Sequence, residues 1–153
     1  MKRFRTYIRE SDEPNGHGAG EVMYRGNSGD GPSNPTGLYA TTHKEFASGY
    51  GNVTAHKISP HARLLDMDHP RATHKLGYNA SAYDSVKNPE ARERYHLSDR
   101  LGAFAQAGAQ DEHGEELRRR LSDAGYHGMS TRHGMEGHTR VFVLPGHHED
   151  HKE

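Results

Sequence analysis

The sequence predicts an α+β domain. Three observations carry that prediction. Short alternating or apolar segments recur at Val22–Arg25, Leu38–Ala40, Val53–Ile58 and Arg140–Leu144, the lengths and patterns of strands. Glu115–Ala124 instead repeats its apolar residues at helical spacing. The order runs strand, loop, strand, short helix, strand, then helices and a final strand. It lacks the regular strand–helix alternation of a doubly wound sheet.

The elements run in chain order from a basic N-terminus. Arg3–Arg9 alternates loosely and predicts a short edge strand. Residues 10–20 carry Pro14, Gly16, Gly18 and Gly20 and predict a loop. Val22-Met23-Tyr24-Arg25 reads as a strand that stops at Gly26, and residues 27–37 as a second loop. Leu38–Ala40 is a brief strand. Thr41 or Thr42 is placed to cap a short helix carrying Phe46, Ala47 and Tyr50. Thr42-His43-Lys44-Glu45 has capping-box spacing, which predicts that Glu45 reaches back to the cap amide. Val53–Ile58 alternates as a strand that Pro60 ends, and Leu64-Leu65 extends the apolar signal.

The middle of the chain predicts helices, including Pro89–Phe104 with Asn88 as cap and Pro89 at the first helical position. In Glu115–Ala124, Leu117, Leu121 and Ala124 share a face. Arg118, Arg119 and Arg120 are expected to face water mostly, and Gly125 is placed to stop the helix. Tyr126 is expected to pack after that stop. Arg140–Leu144 predicts the last strand. Residues 1–146 are read as one domain and residues 147–153 as a polar, disordered tail.

A chain of 153 residues is one domain by the usual size prior. Its apolar fraction of 31% and mean hydropathy of −1.08 predict a modest core. No stretch approaches the roughly 18 consecutive apolar residues of a membrane helix. No apolar signal core follows Met1-Lys2-Arg3-Phe4-Arg5, so a bacterial or host cytoplasm is the expected location. The absence of cysteine excludes disulfides and thiolate metal sites. A net charge of −1 gives no broad electrostatic case for nucleic acid. Arginine outnumbers lysine, however, and its fork suits local phosphate sites. Among the fourteen histidines, His147, His148 and His151 cluster in the tail, and His133 and His138 flank Glu136. There is no His-Glu-x-x-His stretch, and no metal site is expected.

Three motifs remain. Tyr24-Arg25-Gly26 ends the first clear strand. Gly37-Leu38-Tyr39-Ala40-Thr41-Thr42 comes next, running on to Ala47 and Tyr50. Late in the chain come Gly125-Tyr126, Glu136-Gly137 and Val141–Leu144 before Pro145. Their order and separation, over roughly residues 20–146, resemble the ADP-ribosyltransferase superfamily of small phage and bacterial type. The C-terminal stretch looks like that of a phage anti-CRISPR ADP-ribosyltransferase.

The resemblance implies a split, bent β-sheet core and NAD as cofactor. Tyr24, Arg25 and Gly26 would bind NAD, with Arg25 on the pyrophosphate or adjoining ribose. Tyr39, Ala40, Thr41, Thr42 and Tyr50 would hold the nicotinamide and its ribose. Cleaving the nicotinamide–ribose bond develops positive charge on the sugar, and a carboxylate beside the ribose stabilises it. Glu136 is the expected acid, with Arg25 as the second catalytic residue. Counting back from Pro145, Thr139 holds the place many relatives give to Glu.

The implied activity is transfer of ADP-ribose to a macromolecule, a protein rather than nucleic acid. The implied role is a phage anti-defence protein or toxin-like effector. The alternatives are a catalytically inactive NAD- or partner-binding protein on the same fold, and an RNA-modifying relative. A histidine-rich metal-dependent hydrolase is a more distant class.

Overall fold

A computed structural model describes residues 16–27, 36–69, 72–77, 100–134 and 136–151. The predicted strand at residues 3–9 lies outside them, as do most of the loop at 27–37 and the predicted helix before residue 100. Eleven elements are present among the described residues. The strands are β1 (Val22–Asn27), β2 (Leu38–Thr41), β3 (Asn52–Ile58), β4 (Leu64–Asp66), β5 (Gly128–Thr131), β6 (Arg140–Val143) and β7 (His148–Asp150). The helices are α1 (Lys44–Ser48), α2 (Ala72–Lys75), α3 (Arg100–Gly108) and α4 (Glu112–Asp123). The fold is α+β. None of the described helices is long and apolar enough to cross a membrane.

The strands form one sheet in the order β4-β5-β6-β2-β1-β3-β7. β4 and β5 run parallel and every other neighbouring pair is antiparallel. β1 pairs with β3 along its whole length, and β2 pairs with β6 along its whole length. Between β1 and β2 the ladder narrows to a single registered pair, Tyr24 opposite Thr41. The sheet is therefore two ladders, β4-β5-β6-β2 and β1-β3-β7, joined at one narrow seam.

Strand alternation places successive side chains on opposite faces, and both faces are covered here. Phe142 of β6 faces a core built with Phe104, Ala107, Leu117 and Leu121 of the helices. Its neighbours Val141 and Val143 face a second core with Met23, Leu38, Ala40, Ile58 and Leu64. The chain before β1 is tied to β4 by the Gly16 amide, which donates to the Leu64 carbonyl at 2.7 Å.

α4 begins earlier than the apolar spacing predicts. Asp111 is its N-cap and accepts from the Gly114 amide at 2.9 Å. The predicted stop holds. Gly125 takes φ +85°, a left-handed conformation that suits glycine. Its amide donates to Ser122 and that of Tyr126 to Leu121, the paired bonds of a Schellman end. Tyr126 is buried, with the Arg63 guanidinium 4.8 Å above its ring.

Four local expectations are corrected. β1 continues through Gly26 to Asn27, because β3 supplies partners that far. α1 is capped by His43, with no side-chain cap bond, because both threonines are engaged elsewhere. Of the three arginines of α4, Arg119 faces water, but Arg118 Nη1 donates to the Ala107 and Ala109 carbonyls at 2.6 Å each. Arg120 donates to Glu116 at 3.1 Å and to the Leu76 carbonyl at 3.2 Å. The segment at 147–153 is not a disordered tail throughout, since β7 adds to β3 in register, His56 opposite Asp150 and Ile58 opposite His148.

Candidate functional site

Where β1 and β2 part, a cleft of about 510 Å³ opens on the seam. Tyr24, Arg25 and Gly26 of β1 line it, with Tyr39, Ala40 and Thr41 of β2 and Arg140 of β6. One wall is α1 and its exit, through Phe46, Ala47 and Tyr50. The other is the end of α3, through Phe104, Gly108 and Ala109.

Local sequence explains how the walls come so close. A side chain at Gly26 would overlap the Ala47 carbonyl, so glycine lets α1 lie directly on β1. A Cβ at Gly108 would lie 2.6 Å from Tyr39 Cε2, so a second glycine lets α3 close onto the β2 tyrosine. Arg118 then holds that helix end by its carbonyls, where a cation also complements the helix dipole.

The lining is aromatic and cationic. Tyr39 packs edge-on against Phe142, with ring centroids 5.0 Å apart, and near Phe104 at 6.2 Å. Among the described residues its buried hydroxyl has no well-formed hydrogen bond. Burial pushes the phenol up to about 12, against a smaller opposing effect of the adjacent Gly108 backbone. Arg140 holds its guanidinium 5.2 Å from the Phe46 ring centroid, and Phe46 meets Tyr50 edge-on at 5.5 Å. Phe46 and Tyr50 are both exposed, Tyr50 the more so. Lys44 lies 5.4 Å from the Tyr24 ring centroid.

Arg25 is placed differently from its neighbours. Tyr24 and Gly26 face α1, whereas Arg25 is in register with Thr54, on the side of β3 that carries His56. Its charge helps lower the pKa of both His56 and His148. Desolvation lowers the guanidinium's own pKa, and it stays charged throughout the working range.

Thr42 lies beside the cleft rather than among its lining residues. Its hydroxyl accepts from the Thr139 amide at 2.9 Å, its amide donates to the Thr139 carbonyl at 3.0 Å, and Oγ1 lies 3.3 Å from His138 Nδ1. Thr41 Oγ1 accepts from the His43 amide at 3.0 Å. The His43 ring stacks on His138 at 4.3 Å, and Arg132 Nε donates to Thr139 Oγ1 at 3.2 Å. These bonds tie the entry to α1 to the chain leading into β6.

Glu136 is exposed in the turn before that chain and does not line the cleft. Among the described lining residues there is no Asp or Glu.

The structure therefore gathers Tyr24, Gly26, Tyr39, Ala40, Thr41 and Tyr50 around one cavity, with Arg25 also at its edge but its side chain on the β3 face that carries His56. It leaves Thr42 and Glu136 outside. Sequence reasoning missed Arg140, Phe46, Phe104 and the α3 end. Arg140 had a signal, since it begins a predicted strand, but its pairing with Thr41 shows only in the fold. Phe104 and Gly108 carried none, because their position depends on how α3 packs.

The chain matches no protein-family model and no curated protein. Among solved structures it is similar to one described as "Crystal structure of an anti-CRISPR protein", at a TM-score of 0.40 and 20% identity, over 90% of this chain and 99% of that chain. A likeness that distant assigns no activity to this chain.

Proposed function

We propose that the cleft binds NAD and that the protein is an NAD-dependent mono-ADP-ribosyltransferase acting on a macromolecule. The observation that carries this reading is the convergence of two separate motifs on one cavity, Tyr24-Arg25-Gly26 from β1 and Tyr39-Ala40-Thr41 from β2. Aromatic faces suit the flat nicotinamide and adenine rings. Arginine suits the pyrophosphate, and the buried Tyr39 hydroxyl, with no well-formed bond among the described residues, suits a polar ligand atom. NAD contributes a glycosidic bond already primed for cleavage. The protein residues bind it, orient it and exclude water. Glu136 is the acid proposed to stabilise the sugar, and it must approach the cleft to act. The acceptor is proposed to be a host or competitor protein, in a phage anti-defence or toxin-like role.

One observation favours a second reading, an NAD-binding protein that has lost transfer. No described residue lining the cleft is a carboxylate.

The test is incubation of the pure protein with labelled NAD and a bacterial lysate, split into nuclease- and protease-treated halves. Label that disappears in Arg25→Ala and Glu136→Gln supports transfer, and the treatment that removes it identifies the acceptor class, RNA included. Undiminished transfer by Glu136→Gln removes that residue from the chemistry. NAD binding by calorimetry, with no nicotinamide released, supports the second reading.

A further inference from the structure

The cleft floor carries a second arginine to which the motif pattern assigns nothing. Arg140 opens β6. It pairs in register with Thr41 of β2, and Thr41 pairs with Tyr24 of β1. Register partners in antiparallel strands project to the same face. Arg140, Thr41 and Tyr24 therefore form one row across three strands, and the row crosses the seam at its only registered pair. All three line the cleft.

Arg25 is one residue out of that row. Alternation puts it on the side of β3 that carries His56, and its charge is felt there. Arg140 is thus the guanidinium that alternation directs to the cleft side. The Phe46 ring centroid lies 5.2 Å from its guanidinium carbon, a cation–π contact that favours this placement beside the cleft.

From this placement we infer that Arg140 is the principal phosphate contact of the cleft, and that it makes the site selective for ligands with a diphosphate over the same nucleoside without one. This rests on the proposed NAD reading for its physiological ligand, but the anion contact itself does not require NAD.

The experiment measures binding by calorimetry for wild type, Arg140→Gln and Arg140→Lys, with NAD, ADP, inorganic pyrophosphate and nicotinamide riboside as probes. Wild type is expected to bind NAD and ADP more tightly than nicotinamide riboside. Arg140→Gln should weaken NAD and ADP by about 10- to 100-fold, the worth of a charge-assisted bond, and leave nicotinamide riboside unchanged. Arg140→Lys keeps the charge without the fork, so it should fall between the two. It also supplies the reading if the glutamine variant does not fold.

Equal losses for all probes would overturn the assignment, because a packing role weakens every ligand alike. Undiminished NAD and ADP binding would overturn it outright. Arg140-dependent binding of ADP or pyrophosphate without NAD binding would keep the assignment and remove the NAD reading. No binding of any probe by wild type would remove both.

Discussion

The Tyr39 hydroxyl is a polar atom buried beside the Gly108 backbone, with no well-formed hydrogen bond among the described residues. Such a group costs stability in the free protein and becomes useful only when a ligand supplies the partner. Tyr39→Phe removes the hydroxyl and keeps the ring contacts with Phe142 and Phe104. Thermal melts are expected to hold steady or rise, by up to about 1 kcal/mol in stability, while calorimetry shows weaker NAD binding. A clear drop in the melting temperature would mean that the hydroxyl has a structural partner. The glycines make the opposite case. Gly26→Ala forces the new methyl into the Ala47 carbonyl, a backbone atom that cannot swing away. The expected cost is about 1–3 kcal/mol, as for overpacking in a core, read by denaturant unfolding. Both motifs are contiguous in the sequence, so each can be picked out there, and the structure sets the two side by side at the cleft. Glu136 stands before a glycine, and adjacency along a chain does not fix where a turn points, so its position outside the cleft lining is not legible in the sequence.

At the scale of elements, the legible parts are those that declare themselves within one segment. α4 does so, through a leucine pair one turn apart and a glycine stop. β5 does not. All four of its residues are buried, so it shows no alternation, and it is too short for its apolar content to stand out. β7 reads His-Glu-Asp, which is polar throughout. Its strand character comes from the edge of β3 and not from its own residues. The capping box at Thr42 failed because the Thr139 amide takes the hydroxyl that would have capped α1.

The β7 edge also carries a pH prediction. His56 is buried, with Nδ1 3.3 Å from Asp150 Oδ1 but not aligned as a hydrogen bond, and Nε2 2.9 Å from Thr54 Oγ1. Burial lowers its pKa most, and His148 and Arg25 lower it further, against Asp150. Burial lowers His148 too, opposed by Asp150 and aided by Arg25. A histidine with a depressed folded pKa binds fewer protons than it does in the unfolded chain. Its stabilisation is whole above the unfolded value of about 6.5 and is lost as pH falls through it. The melting temperature should therefore fall between about pH 7 and pH 5. The fall should be smaller in a His56→Gln, His148→Gln double variant. A variant as acid-sensitive as wild type would place the sensitivity elsewhere.

The whole molecule is organised by its seam. Two ladders, each fully paired within itself, meet at Tyr24 and Thr41 and are otherwise held together by what lies across them. On the cleft side the bridging piece is α1, which packs on β1 and β2, whereas the α3 end that Arg118 anchors packs within one ladder, on β6 and Tyr39 of β2. A short helix is a weaker staple than a ladder, so the seam should open before either half unfolds. A ligand that touches β1, β2 and β6 at once adds a staple where the fold has fewest. Hydrogen exchange read by mass spectrometry tests this. Without ligand, peptides covering 24–26 and 39–50 should exchange faster than those covering β5 and the middle of β6. With NAD at about 100 times its dissociation constant, binding adds about 2.7 kcal/mol to global stability. The largest slowing should be confined to the seam peptides and to the α3 end. Arg118→Met should speed exchange at the α3 end and leave the β1–β2 seam peptides unchanged, since it frees the Ala107 and Ala109 carbonyls while leaving the buried Leu117 and Leu121 in place. If NAD slows exchange evenly across both ladders, or protects β7 more than the seam, then the cleft is not where it binds.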